Sequence, residues 1–393
     1  MEMLSWHGLA GGLIAIVVAV AFEAKTVIDR GPAGLFNDFY LYWGAVRLLA
    51  TRHNPYDLAA LQSTLAHAGV HATLGLGYPY PLFMAFLLLP LGLASPHVAA
   101  AIFSALSLAC FGLAVALLLT PMRALPRWEM VLLAVAAGGL VPVRGSLHFG
   151  QVNLLLLVPL ALAFRGIGRT VALAVASAIK LYPVAGFAAL LRGGTAERRQ
   201  LAVGLALTLS LALLPNVLTG FGGGHLLDMF SPDPYWSNQS IDGWLSRMAI
   251  AGQLSWLGLP VTPLMLALTA LLGLLTLGVV LHLGGRPWDG CLALLLTFGL
   301  VAAPRNSLWN FVPLMLPMAW CWPRVRLRPP LLAVLLLGWL MVELQSNVNL
   351  AEVDLYRQSV TTGLLSSLGL YGSLLIGGLT AYLLLEAPRP RLT

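Results

Sequence analysis

What most constrains this chain is its succession of apolar windows, at about 8–28, 96–119, 129–144, 151–164, 169–191, 200–219, 260–282, 288–304, 308–322, 329–346 and 363–386. Most approach the roughly 20 residues that a helix needs to cross a hydrocarbon core. With 59% hydrophobic and 9% charged residues, a water-exposed exterior would be far too greasy, so the exterior must face lipid. The expectation is an all-α polytopic membrane protein. Cys110, Cys291 and Cys321 each sit inside an apolar run, which argues against a disulfide framework. The net charge of +7 does not call for nucleic acid, because a basic binding patch needs a soluble face. It matches the lysine and arginine excess of cytoplasmic loops.

The window 169–191 is interrupted by Lys180-Leu181-Tyr182-Pro183, where Pro183 disfavours helix at Tyr182. Two half-helices there bring the scheme to about twelve crossings. Arg123, Arg127, Arg165, Arg169, Arg192, Arg198, Arg199, Arg286, Arg324, Arg326, Arg328, Arg389 and Arg391 then share one side, the cytoplasm. Residues 79–94 read as a shallow or re-entrant outer helix, since another crossing would invert every later loop. Because Met1 to His7 carries no lysine or arginine, the first span is expected to be a retained helix with its N-terminus inside.

The outer side receives about 29–95, 145–150, 220–259 and 347–362, with most of the acidic, amide and indole groups. Polar clusters at a membrane surface are costly and mark functional sites. Asp38 opens a run with helical apolar spacing, and two roles suit it: a helix N-cap, shared with Asn37, or a general base tuned by partial desolvation.

The run Asp38-Phe39-x-x-Tyr42-Trp43-x-Ala45, then Asn54-Pro55-Tyr56-Asp57 and Tyr78-Pro79-Tyr80-Pro81-Leu82, resembles the opening of glycosyltransferase family 87, a branch of the GT-C superfamily. Gly150-Gln151-Val152-Asn153, Ala178-Ile179-Lys180-Leu181-Tyr182-Pro183 and Asn238-Gln239-Ser240-Ile241-x-Gly243-x-x-x-Arg247 are similar to that family's later motifs, in the same order. The resemblance runs from about 38 to 320 and implies one GT-C transmembrane domain over 1–393, with juxtamembrane helices in the first outer loop. It further implies transfer of a hexose, usually mannose as in bacterial α-mannosyltransferases, from a polyprenyl-phosphate donor to a glycolipid or glycan on the outer face. The setting it implies is a bacterial inner membrane with the site facing the periplasm or exterior. Asp38 matches the family's base, and the anomeric centre inverts.

Such a displacement needs a carboxylate to take the acceptor proton opposite the leaving group. The departing phosphate needs positive charge or hydrogen-bond donors but no general acid. Lys180, Arg144, Arg305 and Arg247 are the candidate phosphate ligands, and a snorkelling side chain accounts for each equally well. The substrate side is assigned Tyr42, Tyr78, Tyr80, His148, Gln151, Asn153, Tyr182, Asn238, Gln239, Ser240, Trp309 and Asn310. Trp236, Trp244, Trp256, Tyr235 and Phe221 suit sugar stacking or an interfacial aromatic belt. Where many family members carry a Ser-Trp-x-His-His-like run, Ala303-Pro304 is followed here by Arg305-Asn306-Ser307-Leu308-Trp309-Asn310. The eight histidines show no metal-ligand spacing, so transfer without metal or other cofactor is expected, the lipid-linked sugar serving as co-substrate.

Two rivals share the membrane setting. A transporter or flippase of a lipid-linked saccharide would draw attention to Glu23 and Glu343. A polysaccharide polymerase or ligase would use the same donor chemistry.

Overall fold

A computed structural model describes residues 3–32, 34–73, 77–222, 231–250, 252, 260–282, 287–345 and 360–386. Trp256, Arg286, Arg357, Arg389 and Arg391 lie outside the described residues. The described chain is helical, its only strand-like pairing being an isolated antiparallel bridge between Asn238 and Ser307. It divides into two compact units.

The first unit comprises Met1–Ala163, Val171–Leu181 and Gly204–Asp228. Its helices are α1 (Trp6–Arg30), α2 (Asn37–Ala50), α3 (Leu58–His67), α4 (Leu82–Leu87), α5 (Pro96–Leu119), α6 (Arg127–Gly139), α7 (Val141–His148), α8 (Asn153–Phe164), α9 (Arg169–Ile179) and most of α10 (Thr195–Thr219). Ser5 caps α1 by accepting from the Gly8 amide at 3.1 Å. α1 packs on α5 and α6 through small residues: a Cβ on Gly12 would lie 2.3 Å from the Gly112 carbonyl oxygen, so only hydrogen fits at that crossing. The apolar stretch 79–94 forms α4 and a 3-10 turn, Leu89–Leu93, each far too short to span.

The second unit comprises Phe164–Thr170, Tyr182–Val203 and Met229–Thr393. After a 3-10 segment, Tyr182–Leu190, it contains α11 (Ile241–Ile250), α12 (Val261–His282), α13 (Trp288–Ala302), α14 (Met315–Val325), α15 (Pro329–Leu344), α16 (Val360–Leu365) and α17 (Leu368–Glu386). α13 packs on that 3-10 segment and on α17, and α15 lies along α17.

Among the described residues, five helices are long and apolar enough to cross a membrane: Trp6–Asp29, Pro96–Met122, Thr195–Thr219, Val261–His282 and Leu368–Glu386. A sixth candidate is the pair Arg127–Gly139 and Val141–His148, bent by 44°. The bend falls at Leu140, whose ψ of 125° leaves the helix; two residues on, Pro142 has no N–H to continue the α6 ladder, and its ring would clash with a helical carbonyl at Gly138. Other apolar windows are built from shorter pieces, including α8, α9, α13 and α15. α10 exposes Leu209, Leu213 and Val217, and α12 exposes Leu271, Leu274 and Leu275, as lipid-facing helices do.

Candidate functional site

In the first unit the site is organised by the start of α2. Phe36 stands there at φ 60°, a left-handed conformation that turns the chain into the helix. The orphan amides of the first turn are met by backbone: Phe36 donates to the His148 carbonyl at 2.8 Å, and Asp38 and Phe39 donate to that of Phe149 at 2.9 and 3.2 Å. Asp38 is therefore not an N-cap; Phe36 holds that position, and no side chain caps it. The turn that supplies these carbonyls ends at Gly150, with φ +67°, where a Cβ would meet the Phe39 Cβ at 2.6 Å.

Relieved of capping, the Asp38 carboxylate takes side-chain amides. Asn37 Nδ2 donates to Oδ1 at 3.0 Å, and Gln151 Nε2 donates to Oδ2. Asn37 is in turn fixed by the Thr73 amide at 2.7 Å. Burial pushes the Asp38 pKa up, while the Asn37 and Gln151 hydrogen bonds and the Lys180 charge partly oppose it.

Gln151 connects onward. Asn153 Nδ2 lies 3.4 Å from Gln151 Oε1 and 3.0 Å from Ser146 Oγ, and Lys180 Nζ donates to Asn153 Oδ1 at 2.7 Å. The break after α9 delivers that lysine at the helix end, with its ammonium 5.4 Å from the Tyr80 ring centroid. Tyr42 and Tyr80 join hydroxyls at 3.0 Å, and Tyr80 approaches Gln151 Oε1 at 3.5 Å. Behind them the Tyr78 ring lies 5.9 Å from that of Tyr80, tilted by 48°, and its hydroxyl donates to the Pro81 carbonyl. The structure thus gathers Asp38, Tyr42, Tyr78, Tyr80, Gln151, Asn153 and Lys180. Asn37 and Ser146, which the sequence reading did not assign to the site, complete the cluster. His148 and Arg144 are held by α1 instead: His148 Nδ1 is 2.9 Å from Glu23 Oε1, and the Arg144 guanidinium lies 5.0 Å over the Phe22 ring.

The second unit holds a different cluster. Asn238, Gln239, Ser240, Asp242 and Arg247 are at most 1% exposed. Ser240 accepts from the Gly243 amide and so caps α11. Gln239 donates to the carbonyls of Trp236 and Ser366 at 2.6 and 2.8 Å. Arg247 donates to the carbonyls of Tyr235 and Asn238 at 3.0 and 2.9 Å and to Ser367 Oγ at 2.8 Å. Asp242 accepts from Asn238 Nδ2, Ser246 Oγ and the amides of Arg305 and Asp233, and burial raises its pKa. Arg305, at φ 50°, donates its guanidinium to Ser231. Asn310 Nδ2 donates to Asn306 Oδ1 at 2.8 Å, and Trp309 meets Trp236 edge-on at 6.0 Å. Tyr182, in the same unit, is buried at the start of its 3-10 segment. Of the aromatic residues, Tyr235 is exposed and Trp236 is buried.

A family model, glycosyltransferase family 87, matches residues 78–304. That interval takes in Tyr78, Tyr80, Gln151, Asn153, Lys180, Asn238 and Arg247, and leaves Asp38, Arg305, Trp309 and Asn310 outside it. No curated protein and no solved structure matches the chain. Because the match covers more than half of the sequence, and a membrane-type array of apolar helices carries it, the chain belongs to glycosyltransferase family 87 and is a membrane glycosyltransferase.

Proposed function

We propose that this protein transfers a hexose, mannose first among candidates, from a polyprenyl-phosphate donor to a hydroxyl of a glycolipid or glycan, with inversion. Asp38 is the base. The chain is one GT-C domain of about twelve crossings in a bacterial inner membrane, with this chemistry on the outer face. The observation that carries the reading is the state of the Asp38 carboxylate: half-buried, excused from capping, and tied by Gln151 and Asn153 to the only lysine of the cluster.

In the reaction the acceptor hydroxyl gives its proton to Asp38 while its oxygen bonds to the anomeric carbon. The carbon–oxygen bond to phosphate breaks, and its electron pair leaves with the polyprenyl phosphate. Lys180 supplies positive charge toward that leaving group. Arg247 and Arg305, through their bonds to Tyr235, Asn238, Ser367 and Ser231, hold the loop before α11 and the turn after α13. Neither metal nor other cofactor is needed in this scheme.

The test is transfer by the purified protein from synthetic polyprenyl-phosphate mannose, beside a nucleotide-linked mannose control, with mass spectrometry of lipids from a deletion strain. Transfer from the lipid donor alone, and a glycolipid lacking one hexose in the strain, are expected. Transfer from the nucleotide sugar alone would overturn the donor assignment. A deletion strain that accumulates an intact lipid-linked saccharide would instead favour transport.

A further inference from the structure

We propose that Lys180 is also a positioning residue for the base: its charge reaches Asp38 through the side-chain amides of Asn153 and Gln151, an oriented chain of hydrogen bonds from cation to carboxylate. This rests on the reading of Asp38 as the base and adds a role for three further side chains.

The direction of every bond carries the inference. Lys180 Nζ donates to Asn153 Oδ1 at 2.7 Å, Asn153 Nδ2 donates to Gln151 Oε1 at 3.4 Å, and Gln151 Nε2 donates to Asp38 Oδ2. Each amide turns its oxygen toward the ammonium and its nitrogen toward the carboxylate. Flipping either amide would set N–H against N–H at one end and oxygen against oxygen at the other. The two end charges thus select one orientation, and the aligned amide dipoles pass the influence of each end to the other. Ser146 Oγ, 3.0 Å from Asn153 Nδ2, pins the middle.

The surroundings keep the effect strong. Lys180, Asn153 and Gln151 are 8%, 0% and 7% exposed, so little water screens the chain. The four side chains come from the start of α2, the turn after α7, the start of α8 and the end of α9. Around Asp38 the other polar and titratable groups are the Asn37 amide and the phenols of Tyr42 and Tyr80. His148 and Glu23, near the same turn, face each other at 2.9 Å. Lys180 is thus the cation acting on this carboxylate among the described residues, and burial acts against it. When Asp38 takes the acceptor proton, Gln151 loses its anionic partner. Restoring that partner favours release of the proton before the next turnover.

The experiment is the pH profile of kcat/KM for the full-length protein with a defined lipid-linked donor and acceptor, in Lys180→Met, Gln151→Met and their double variant. Removing either the charge or the link raises the Asp38 pKa, so the acid limb should move up by about one pH unit in both single variants. The double variant should move no further than the larger single, because both cut one chain. Lys180→Arg, which keeps the charge, should stay near the parent limb; with Gln151→Met it carries the test should Lys180→Met not survive purification. A limb that stays put in Gln151→Met overturns the proposal, and so does one that moves with Lys180→Met alone. Asp38→Asn separates the two readings. Full transfer by that variant removes the base assignment itself, whereas an inactive Asp38→Asn with unmoved limbs elsewhere leaves the base standing and rejects only the amide chain.

Discussion

Asp38 and Asp242 invite comparison, because each lies in the first turn of a helix and each has its pKa raised by burial. They differ in what remains of their hydrogen-bonding capacity. A carboxylate offers about four acceptor sites. Asp242 receives four donors, two of them backbone amides, from Asp233 and Arg305, that fix it to the chain. Asp38 receives two from the described residues, both side-chain amides. The first arrangement completes a loop. The second leaves lone pairs for an acceptor hydroxyl, and polarity at a membrane surface therefore has two uses that burial alone does not separate.

The most severe way to break this comparison is to neutralise each carboxylate in turn. Asp38→Asn keeps shape and cannot accept a proton, so transfer should fall by at least about a hundredfold while donor binding persists. Asp242→Asn should act on thermal stability more than on turnover. An Asp38→Asn enzyme within a few-fold of the parent, beside an inactive but folded Asp242→Asn, would reverse the assignment. The pH profile sharpens the point. Burial favours the neutral acid, so Asp38 holds its proton to higher pH than an exposed carboxyl does, and the acid limb of kcat/KM should lie above the ordinary carboxylate range. A limb at that ordinary position would detach the rate from Asp38.

Arg247 sharpens the other side. Its donation to the Tyr235 and Asn238 carbonyls and to Ser367 leaves these acceptors dependent on it at full burial. Arg247→Met should cost about 2–3 kcal/mol, read as a fall in Tm of the purified protein. An unchanged Tm with lost donor binding would make Arg247 a phosphate ligand after all. A smaller effect is expected at the turn beneath Asp38. Gly150→Ala forces a left-handed residue and a clash with Phe39, at about 1–2 kcal/mol for the backbone alone, and should lower kcat by moving Gln151. Equal kcat in that variant would show that the Gly150 turn does not position the base.

Much of this architecture was legible in the sequence. Apolar length marked the positions of α1, α5, α10, α12 and α17, and Pro183 marked the interruption that sets Lys180 at a helix end. The bend ahead of Pro142 was missed because the run between Glu129 and Arg144 stays apolar, and hydropathy does not register a change of direction. In the site, Asp38, Gln151, Asn153 and Lys180 were marked by the family motifs that contain them. Their connection was not, since it joins side chains 113 and 27 positions apart. Asn37 and Ser146 were passed over because a lone amide or hydroxyl beside a helix is commonplace. Asn238, Gln239 and Ser240 drew attention for their polarity, yet their bonds close a loop on itself, and a short polar run reads alike in either use.

The mildest test falls at the family departure, Asn310. Its amide donates to Asn306 Oδ1, and the Asn306 amide in turn holds the Leu300 carbonyl near the end of α13 at 2.6 Å. Asn310 therefore acts one step removed from the backbone, through a bond between neutral groups on neighbouring turns. Such a bond is worth about 1 kcal/mol. Asn310→Ala should lower Tm slightly and change turnover by less than about threefold, because Asn306 keeps its own hold on α13. Substituting Asn306 as well should deepen the Tm loss and leave donor KM alone. A tenfold or greater rise in donor KM for folded Asn310→Ala would mean that this amide touches the donor where the family pattern carries histidine. The second cluster would then share in binding the substrate, and the distinction drawn between the two carboxylates would hold for the base alone.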